Sequence, residues 1–342
     1  MIGSGCQFHA KIGLSGSAVV AGKIKPAAAV SRKYSTGAPK SAAILVADPM
    51  NLWNSYHRAV TVSEALHALA DAPGSACILA GGTDLMLDLQ QGRHAPVHTL
   101  VDITGVPEMK RLEVHDGELF IGAAVTISRI VRSEQVRQHA QALVEACDLI
   151  GGPQVRNMAT LGGNVAHALP AADGTIALSA IGAQVEIASI SGVRRAPILD
   201  CFAGPGKSTL LPGQELLTGF YLPLREPGQA SAFKRVMRPQ GVALPILNLA
   251  IWLERTGDRV ADIHIAAGPS GPTPRRLFKT EERLRGSRLD QADLAAAVEE
   301  TASEARFRTS HHRATAAYRY HLVKNLLLDV LQVAWERAGS ES

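Results

Sequence analysis

Two glycine-rich segments, each preceded by an apolar or helical stretch, constrain this chain more than any other feature. The first occupies residues 80–85, reads A-G-G-T-D-L and follows the apolar run at residues 77–79; the second lies within residues 150–173 and includes the pair Gly162 and Gly163. Glycine lacks a Cβ atom, so its backbone can turn sharply and its amide groups can lie directly against a ligand. Successive N–H groups in such a turn form a concavity that suits phosphate oxygens. The two segments predict one extended, phosphate-bearing ligand held from two sides.

The order and separation of these segments resemble a known family. A-T-L-G-G-N follows A-G-G-T-D-L by about eighty residues, and P-A-A-D comes shortly after it. The combination is similar to the flavin-binding medium subunit of the xanthine dehydrogenase family, the molybdenum hydroxylases, which include carbon monoxide dehydrogenase and 4-hydroxybenzoyl-CoA reductase. Either motif alone is a weak signal, whereas both together in this order are specific. The alternative is two purely structural turns in an α/β protein.

The resemblance implies an α+β fold with several parts. It covers residues 50–336 and implies a flavin domain of the vanillyl-alcohol-oxidase/PCMH type at 50–225, with subdomains at about 50–105 and 106–225. A smaller α+β domain of the carbon monoxide dehydrogenase flavoprotein type is expected at 230–336. The length of 342 residues independently favours more than one domain, because single cores rarely grow to that size.

Composition excludes several classes of function. A hydrophobic fraction of 46% and a charged fraction of 19% are typical of globular chains. The net charge of +4 is mild, and no basic stripe interleaved with aromatic residues indicates nucleic-acid binding. No apolar run approaches the roughly twenty residues that a membrane span requires. The expected partners therefore include neither nucleic acid nor a bilayer.

The cysteines and histidines predict no metal centre. The four cysteines are far apart and form no C-x-x-C pair, so neither a zinc site nor an iron–sulfur cluster is expected. The neighbouring His311 and His312 lack an evident third ligand. Sparse, unpaired cysteines suit a reducing compartment, and we therefore predict a cytoplasmic protein.

Residues 1–49 differ from the rest of the chain. They are basic and rich in serine, and Asp48 is their first acidic residue. Such composition is typical of transit peptides, so a targeting or partner-contacting arm is one interpretation. The others are a disordered extension and an upstream start codon assigned in error, with the family-like part beginning at Met50.

A second phosphate-binding motif proves to be a false match. The stretch Gly204–Thr209 ends in G-K-S-T, as a nucleotide-binding P-loop does, but Cys201 stands where that motif requires glycine. Pro212 and Gly213 interrupt the helix that should follow. In the related family, F-x-G-P-G-K-T is a common loop of the flavin domain, which fits this stretch better.

Apolar periodicity predicts most of the secondary structure. Helices are expected from Thr61 to about Ala70, at Leu85–Gln91, from Thr126, at Gln138–Ile150, at Ile176–Ile181, at Gln291–Ala305 and at Tyr318–Trp335. Strands are expected at Ala76–Ala80, Thr99–Ile103, Glu118–Gly122, Gln184–Ile190, Glu215–Pro223, Ala243–Glu254 and Asp262–Ala267.

The resemblance also implies which residues contact a flavin adenine dinucleotide (FAD). Thr83 and Thr160 offer hydroxyl donors, Asn164 both donates and accepts, and Asp173 is an acceptor suited to a ribose or ribityl hydroxyl. Ile150 is expected beside the flavin ring, where animal xanthine dehydrogenases carry an aromatic residue. The complete set of implied contacts is Ile78, Leu79, Ala80, Gly81, Gly82, Thr83, Asp84, Ile150, Thr160, Gly162, Gly163, Asn164, Asp173, Leu217 and Lys234.

The implied activity is that of an oxidoreductase subunit. No G-x-S-x-G motif or nucleophile–base pairing is visible, which suits a protein whose cofactor carries the redox chemistry. In the family, electrons leave molybdopterin in a large subunit, cross two [2Fe-2S] clusters in a small subunit, and reach FAD in the medium subunit. They then pass to NAD⁺, oxygen or another acceptor. Two alternatives are a stand-alone flavin oxidoreductase and a scaffold subunit that has lost its flavin.

Overall fold

The computed structural model describes residues 51–238, 244–311 and 313–340. The predicted extension at residues 1–49 lies outside these ranges, as does His312 of the histidine pair.

The amino-terminal part is a small parallel sheet with two helices. Its strands lie in the order β1-β3-β2, and both neighbours of β3 run parallel to it. Thr61 caps the first helix by accepting a hydrogen bond from the amide of Glu64. The elements are β1 Trp53–Arg58, α1 Val62–Ala70, β2 Ala76–Leu79, α2 Leu85–Gln90 and β3 Val97–Asp102. Because parallel strands end at the same edge of the sheet, the first glycine segment emerges beside the end of β3.

The central part combines an antiparallel sheet with a run of short helices. The sheet order is β4-β5-β10-β6-β7, and β8 pairs with β9 in a separate ribbon. The strands are β4 Leu112–His115, β5 Glu118–Gly122, β6 Gln184–Ser189, β7 Gly192–Pro197, β8 Phe202–Gly204, β9 Lys207–Ser208 and β10 Glu215–Pro223. The helices are α3 Ile127–Arg132, α4 Glu134–His139, α5 Gln141–Asp148, α6 Pro153–Met158, α7 Leu161–Ala166 and α8 Asp173–Ile181.

The carboxyl-terminal part is an antiparallel sheet that packs against α11 on one face and α8 on the other. Its strand order is β11-β12-β13-β14. The elements are β11 Gln229–Val236, β12 Leu247–Thr256, β13 Arg259–Gly268, β14 Arg275–Arg276, α9 Phe278–Leu284, α10 Gln291–Glu304 and α11 Ala316–Gly339. The buried apolar residues form two clusters. The first comprises the amino-terminal and central parts together with Phe233, Ala250 and Ala266 of the carboxyl-terminal sheet, and the second lies within the carboxyl-terminal part.

The observed elements confirm the mixed fold class and correct two local expectations. The helix expected at Gln138–Ile150 is broken at Ala140, whose φ of −143° and ψ of 54° lie outside the helical region. The amide of Ala142, just past the break, donates to Ser231 Oγ at 3.1 Å, so a contact from β11 satisfies the start of the second helix. The segment between Ile150 and Asp173, where the glycines predict sharp turns, contains two short helices, α6 and α7.

The P-loop-like stretch is a hairpin. Residues Phe202–Gly204 and Lys207–Ser208 pair as antiparallel strands around Gly206, whose φ is +68°. A P-loop would join a strand to a helix. The structure therefore confirms that this stretch is not a P-loop.

Candidate functional site

The first glycine segment is a turn whose amide groups point to no protein acceptor. It leaves β2 after Leu79, and Gly82 adopts a φ of +70°, a left-handed conformation that favours glycine. Among the described residues, no acceptor bonds the amides of Gly81, Gly82, Thr83 or Asp84. Four successive unpaired N–H groups in a turn form a site for phosphate oxygens. The turn has the form that the phosphate-binding prediction requires, and its contact with a ligand stays a prediction.

The second glycine segment works differently from the expectation that its amides bind phosphate. Gly162 N donates to Ala123 O at 2.9 Å, Gly163 N to Thr160 Oγ1 at 3.1 Å and Asn164 N to Thr160 O at 3.1 Å. Thr160 is thus the N-cap of α7, and the amides of the glycine pair are already used within the protein. These glycines therefore have no free amide hydrogen for a phosphate, and what they provide at this place is the absence of a side chain.

The two segments lie in direct contact. A Cβ atom on Gly81 would lie 2.1 Å from the carbonyl oxygen of Met158, so only glycine permits this approach. The contact joins the first turn to the backbone immediately before Thr160. By contrast, a Cβ on Gly163 would meet only Thr160 Oγ1, at 3.2 Å. Gly163 therefore borders open space beside the junction of the two segments, where a ligand can approach.

Asn164 presents a buried acceptor without a partner. Its Oδ1 atom is shielded from solvent and accepts no hydrogen bond from another described residue. The same atom would lie 2.8 Å from a Cβ on Gly174, so glycine at that position leaves room for the amide. Buried polar atoms are nearly always satisfied in folded proteins, and an unpaired one in a concave site points to a ligand group or water.

Asp173, expected to bind a sugar hydroxyl, is held by two residues of the carboxyl-terminal sheet. Asn248 Nδ2 donates to Asp173 Oδ1 at 2.6 Å, and Arg235 Nη1 donates to Asp173 Oδ2 in a short ion pair. Asp173 is 4% exposed. Burial raises the pKa of its carboxyl, and the charge of Arg235 and the bond from Asn248 oppose that shift. Much of the acceptor capacity that we expected for a ligand is therefore occupied by protein donors.

Arg235 and Asn248 were missed by the sequence reasoning. They lie opposite each other on β11 and β12, on the face of the sheet that packs against α8. Arg235 Nε and Asn248 Oδ1 are buried without partners, which places further unsatisfied polar atoms around Asp173. A charged residue at an inward position of an alternating strand is a sequence signal that could have identified Arg235.

Lys234, which the resemblance placed near the flavin, lies apart from this network. It is exposed, and successive strand residues point to opposite faces, so its side chain leaves β11 away from the Arg235–Asp173 pair. The structure brings Asp173 together with Arg235 and does not bring Lys234 to the same face.

Leu217 and Ile150 flank the second segment. Leu217 is 5% exposed in β10, and the next residue, Thr218, accepts the amide of Ala123 at 2.9 Å. Ala123 in turn accepts the amide of Gly162, so Leu217 lies close to the second segment through the backbone. Ile150 is half-buried, and Arg156 Nη1 donates to its carbonyl at 3.3 Å.

Arg156 anchors the turn that precedes α6. In addition to Ile150, its Nη1 atom donates to Gly151 O at 2.9 Å, and its Nη2 lies 3.6 Å from Asp148 Oδ1. Arg156 therefore holds the loop between α5 and α6 in place. The remaining predicted contacts, Ile78, Leu79 and Ala80, are half-buried where β2 ends and the first turn begins.

Two classes of feature are absent from the part of the chain that the structure describes. In residues 51–238, 244–311 and 313–340, no group of three or more His, Cys, Asp or Glu side chains is placed to hold a metal ion. Within the same ranges, no helix combines the length and apolar character needed to cross a membrane.

The residues fit a flavin dinucleotide. A pyrophosphate needs donors without bulk, which the four amides of the Gly81–Asp84 turn provide. The unpaired Asn164 Oδ1 can accept from a hydroxyl, and Gly163 leaves space next to it. Two separate elements thus offer donor and acceptor groups of the kinds that such a ligand needs.

Comparisons with known proteins identify both halves of the described chain. Residues 49–225 match the family model described as the FAD binding domain in molybdopterin dehydrogenase, and residues 231–334 match the CO dehydrogenase flavoprotein C-terminal domain. The xanthine dehydrogenase FAD-binding subunit of Escherichia coli O157:H7 is 32% identical over 290 residues, which are 84% of this chain and 98% of that protein. The glyceraldehyde dehydrogenase medium chain of Sulfolobus acidocaldarius is 32% identical over 275 residues, which are 80% of this chain and 95% of that protein.

Solved structures show the same similarity. A chain of the carbon monoxide dehydrogenase from Hydrogenophaga pseudoflava matches with a TM-score of 0.78 and 26% identity, over 83% of this chain and 97% of that one. A chain of quinoline 2-oxidoreductase from Pseudomonas putida 86 matches with a TM-score of 0.77 and 28% identity, over 84% of this chain and 98% of that one. The expected family, fold class and cofactor are thereby confirmed. The chain belongs to the xanthine dehydrogenase family of molybdenum hydroxylase-type oxidoreductases, as an FAD-binding medium subunit.

Proposed function

We propose that this chain is the electron-transfer subunit of a three-component molybdenum hydroxylase. A large subunit would carry molybdopterin and oxidise the substrate, and a small subunit would carry [2Fe-2S] clusters that deliver electrons to this chain. The relatives named above as medium chains or FAD-binding subunits support this division of labour. Bound FAD supplies the redox chemistry, accepting electrons from the clusters and passing them to an acceptor.

The observation that supports the proposal most directly is the turn Gly81–Asp84 with its four unpaired amides. We assign these amides to the FAD pyrophosphate. The contact between Gly81 and the backbone of Met158 fixes the turn against the second segment, so both sides of the site are preorganised. Preorganised donors bind a charged group without reorganising at the moment of binding.

The other residues of the site divide the remaining tasks. Thr160 holds the Gly163 amide and keeps a hydroxyl hydrogen for donation, and Asn164 offers Oδ1 to a ligand hydroxyl. Asp173, held by Arg235 and Asn248, lies at the start of α8, and we propose that it keeps this end of the site in position. We also keep the other contacts implied by the family as proposals, namely Ile78, Leu79, Ala80, Gly162, Ile150, Leu217 and Lys234.

Three further points belong to the same proposal. NAD⁺, oxygen or another oxidant accepts the electrons, and the complex works in the cytoplasm. The chain divides into an FAD-binding region at 50–225 and a carboxyl-terminal region at 230–336, preceded by the basic extension at 1–49. The two buried apolar clusters and the ranges of the family matches support this division.

The deciding experiment begins with the visible absorption spectrum of the purified chain. Acid release should yield FAD in near-equal amount to protein. The FAD-loaded chain is then mixed anaerobically with the reduced [2Fe-2S] subunit isolated from the same complex, and bleaching of flavin absorbance is followed in a stopped-flow instrument. We expect rapid bleaching, followed by recovery when the acceptor is added.

Two outcomes would favour the alternatives. A folded, colourless chain that takes up no added FAD would leave the scaffold function ahead. An FAD-loaded chain that is reduced directly by a small organic substrate, but not by the [2Fe-2S] subunit, would indicate a stand-alone flavin oxidoreductase.

A further inference from the structure

Four arginines of the carboxyl-terminal part, Arg238, Arg308, Arg313 and Arg319, lie together; we call them the arginine cluster. Arg238 Nη2 donates to the carbonyl of Arg313 at 3.3 Å, and Arg319 Nη1 donates to the carbonyl of Arg308. Within residues 51–238, 244–311 and 313–340, no carboxylate lies within 4.0 Å of any of the four guanidinium groups. The cluster therefore concentrates positive charge without a counter-charge from the described chain.

The burial of Arg319 makes this concentration of positive charge energetically unfavourable. It is 2% exposed and donates only to backbone carbonyls, with Nε 2.9 Å from Ile246 O. A buried charge needs an opposite charge as well as hydrogen bonds, because neutral carbonyls only partly replace its hydration. Burial lowers the pKa of Arg319, and the positive charges of Arg313 and Arg308 lower it further. The three groups are thus close enough to repel one another.

The surroundings add positive potential. Arg319 lies in the first turn of α11, where the partial charge of the helix end is positive. Ser310 N donates to Ala314 O at 2.9 Å, which closes the loop that carries Arg313. The sequence has no acidic residue between Glu304 and Asp329, and none at 239–243. An anion from outside this segment is the missing component.

We propose that the arginine cluster binds a phosphate group. The planar guanidinium fork matches phosphate oxygens in paired hydrogen bonds, and several arginines suit a multiply charged anion better than a single carboxylate. Arg238, Arg308 and Arg313, which are exposed or half-buried, supply the contacts, while buried Arg319 contributes charge from behind. The site is distinct from the Gly81–Asp84 turn, since it uses arginine side chains and not backbone amides. The phosphate group can come from free phosphate or pyrophosphate, or from a nucleoside diphosphate.

The test is a calorimetric titration of the full-length chain with pyrophosphate and, separately, with ADP, in a low-salt buffer free of phosphate. The variant Arg308→Gln/Arg313→Gln removes one exposed and one half-buried member of the cluster. The control Lys279→Gln/Arg283→Gln removes two positive charges from the exposed side of α9. FAD content and far-ultraviolet circular dichroism are recorded for every protein first, so that loss of flavin or of fold is seen separately.

We expect saturable binding of pyrophosphate by the wild-type chain and the control, with dissociation constants within about twofold. The cluster variant should bind at least about tenfold more weakly, because charge-assisted hydrogen bonds are lost. If that variant does not fold, Arg238→Gln provides the same comparison at an exposed position. Tighter binding of ADP than of pyrophosphate would identify a nucleotide as the source, and equal binding would identify the free anion.

Three results would overturn the proposal. They are the absence of saturable binding to the wild-type chain, equal weakening in the cluster variant and the control, and binding of polyglutamate without binding of pyrophosphate. The last would indicate an acidic protein segment instead. A chain that lacks FAD but still binds pyrophosphate through the cluster would count against the proposed function alone.

Discussion

At the scale of single residues, the glycines of the site have different physical roles. Gly81 permits contact between two backbones, since its Cβ would overlap the carbonyl of Met158. Gly163 borders open space, which we assign to FAD as part of the proposed function, since its Cβ would approach only the Thr160 hydroxyl. Substitution of Gly81 should therefore affect both stability and FAD binding, whereas substitution of Gly163 should affect FAD binding alone.

Gly81→Ala should destabilise the protein and reduce FAD content. The added Cβ would lie 2.1 Å from a backbone oxygen, which cannot rotate away, so the two segments must move apart. Overpacking of this kind costs about 1–3 kcal/mol. Thermal unfolding and acid-released flavin per chain measure the two effects. Gly204→Ala is the control, because its nearest neighbour would lie 4.0 Å away; equal losses in both variants would contradict the contact argument.

Gly163→Val should empty the site while leaving the fold intact. The residue lies in the first turn of α7, where valine is tolerated, and its side chain would project beside Asn164 into the space that we assign to FAD. We expect unchanged circular dichroism and at least about a tenfold weaker affinity for FAD, equivalent to about 1.4 kcal/mol. Fluorescence titration of the flavin-free protein measures this affinity. A variant with full FAD occupancy would contradict the assignment.

At the scale of elements, the caps of two helices offer a matched comparison. Thr160 accepts the Gly163 amide at the start of α7, and Thr61 accepts the Glu64 amide at the start of α1, each at 3.1 Å. Loss of such a cap costs about 1 kcal/mol. Thr160→Val and Thr61→Val should therefore lower stability similarly, but only Thr160→Val should weaken FAD binding. Similar FAD affinities in the two variants would remove Thr160 from the site.

The carboxyl end of β3 should be sensitive to acid. Burial raises the pKa of Asp102, but hydrogen bonds from Tyr56 and Thr104 outweigh it and hold that pKa below its ordinary value. Because the folded-state pKa is the lower one, this stabilisation is present above about pH 4 and is lost as the pH falls below that value.

Tyr56→Phe should move the acid-unfolding midpoint to higher pH. The variant removes the hydroxyl that donates to Asp102, so the folded-state pKa of the carboxyl rises towards its unfolded value. Circular dichroism during an acid titration measures the midpoint. Tyr318→Phe is the control, because Tyr318 is exposed and its hydroxyl bonds to no other described residue. An unchanged midpoint in Tyr56→Phe would show that this bond contributes nothing.

At the scale of the whole molecule, the carboxyl-terminal sheet contributes residues to both apolar clusters, and polar contacts add to this connection. Glu145 of α5 accepts the amide of Phe233 in β11 at 2.8 Å and a bond from Arg337 of α11 at 2.5 Å. Arg337 also donates to the carbonyl of Ser231 at 2.9 Å. One carboxylate thus links the central helices to both a strand and the last helix of the carboxyl-terminal part.

Glu145→Ala should weaken the coupling between the clusters. Loss of hydrogen bonds to a charged group costs about 1–3 kcal/mol each. We expect a lower midpoint of thermal unfolding and a calorimetric transition that broadens or splits, because the two clusters would no longer unfold together. Glu282→Ala, at an exposed position of α9, is the control and should unfold like the wild type. A single, unshifted transition in Glu145→Ala would contradict this role.

The features that the sequence alone determined are those with a local physical cause. The turn at Gly82 needs a left-handed backbone, which glycine provides, and the long helix α11 follows from apolar residues at helical spacing. The order and separation of the two glycine segments were sufficient to identify the family and the cofactor. The turn and the helix each depend on one short stretch of sequence, and the family signal depends on the order and separation of two such stretches.

The tertiary structure decided which polar groups remain available to a ligand. Asp173 pairs with Arg235 and Asn248, which lie 62 and 75 residues away in sequence, and the amides of the second glycine pair are bonded within the protein. No local pattern reveals these pairings, because a hydrogen bond depends on which distant strand packs against the helix. The sequence predicted where a phosphate-bearing ligand binds, and only the packing of the carboxyl-terminal sheet against α8 decided which donors and acceptors near that place remain without a partner in the protein.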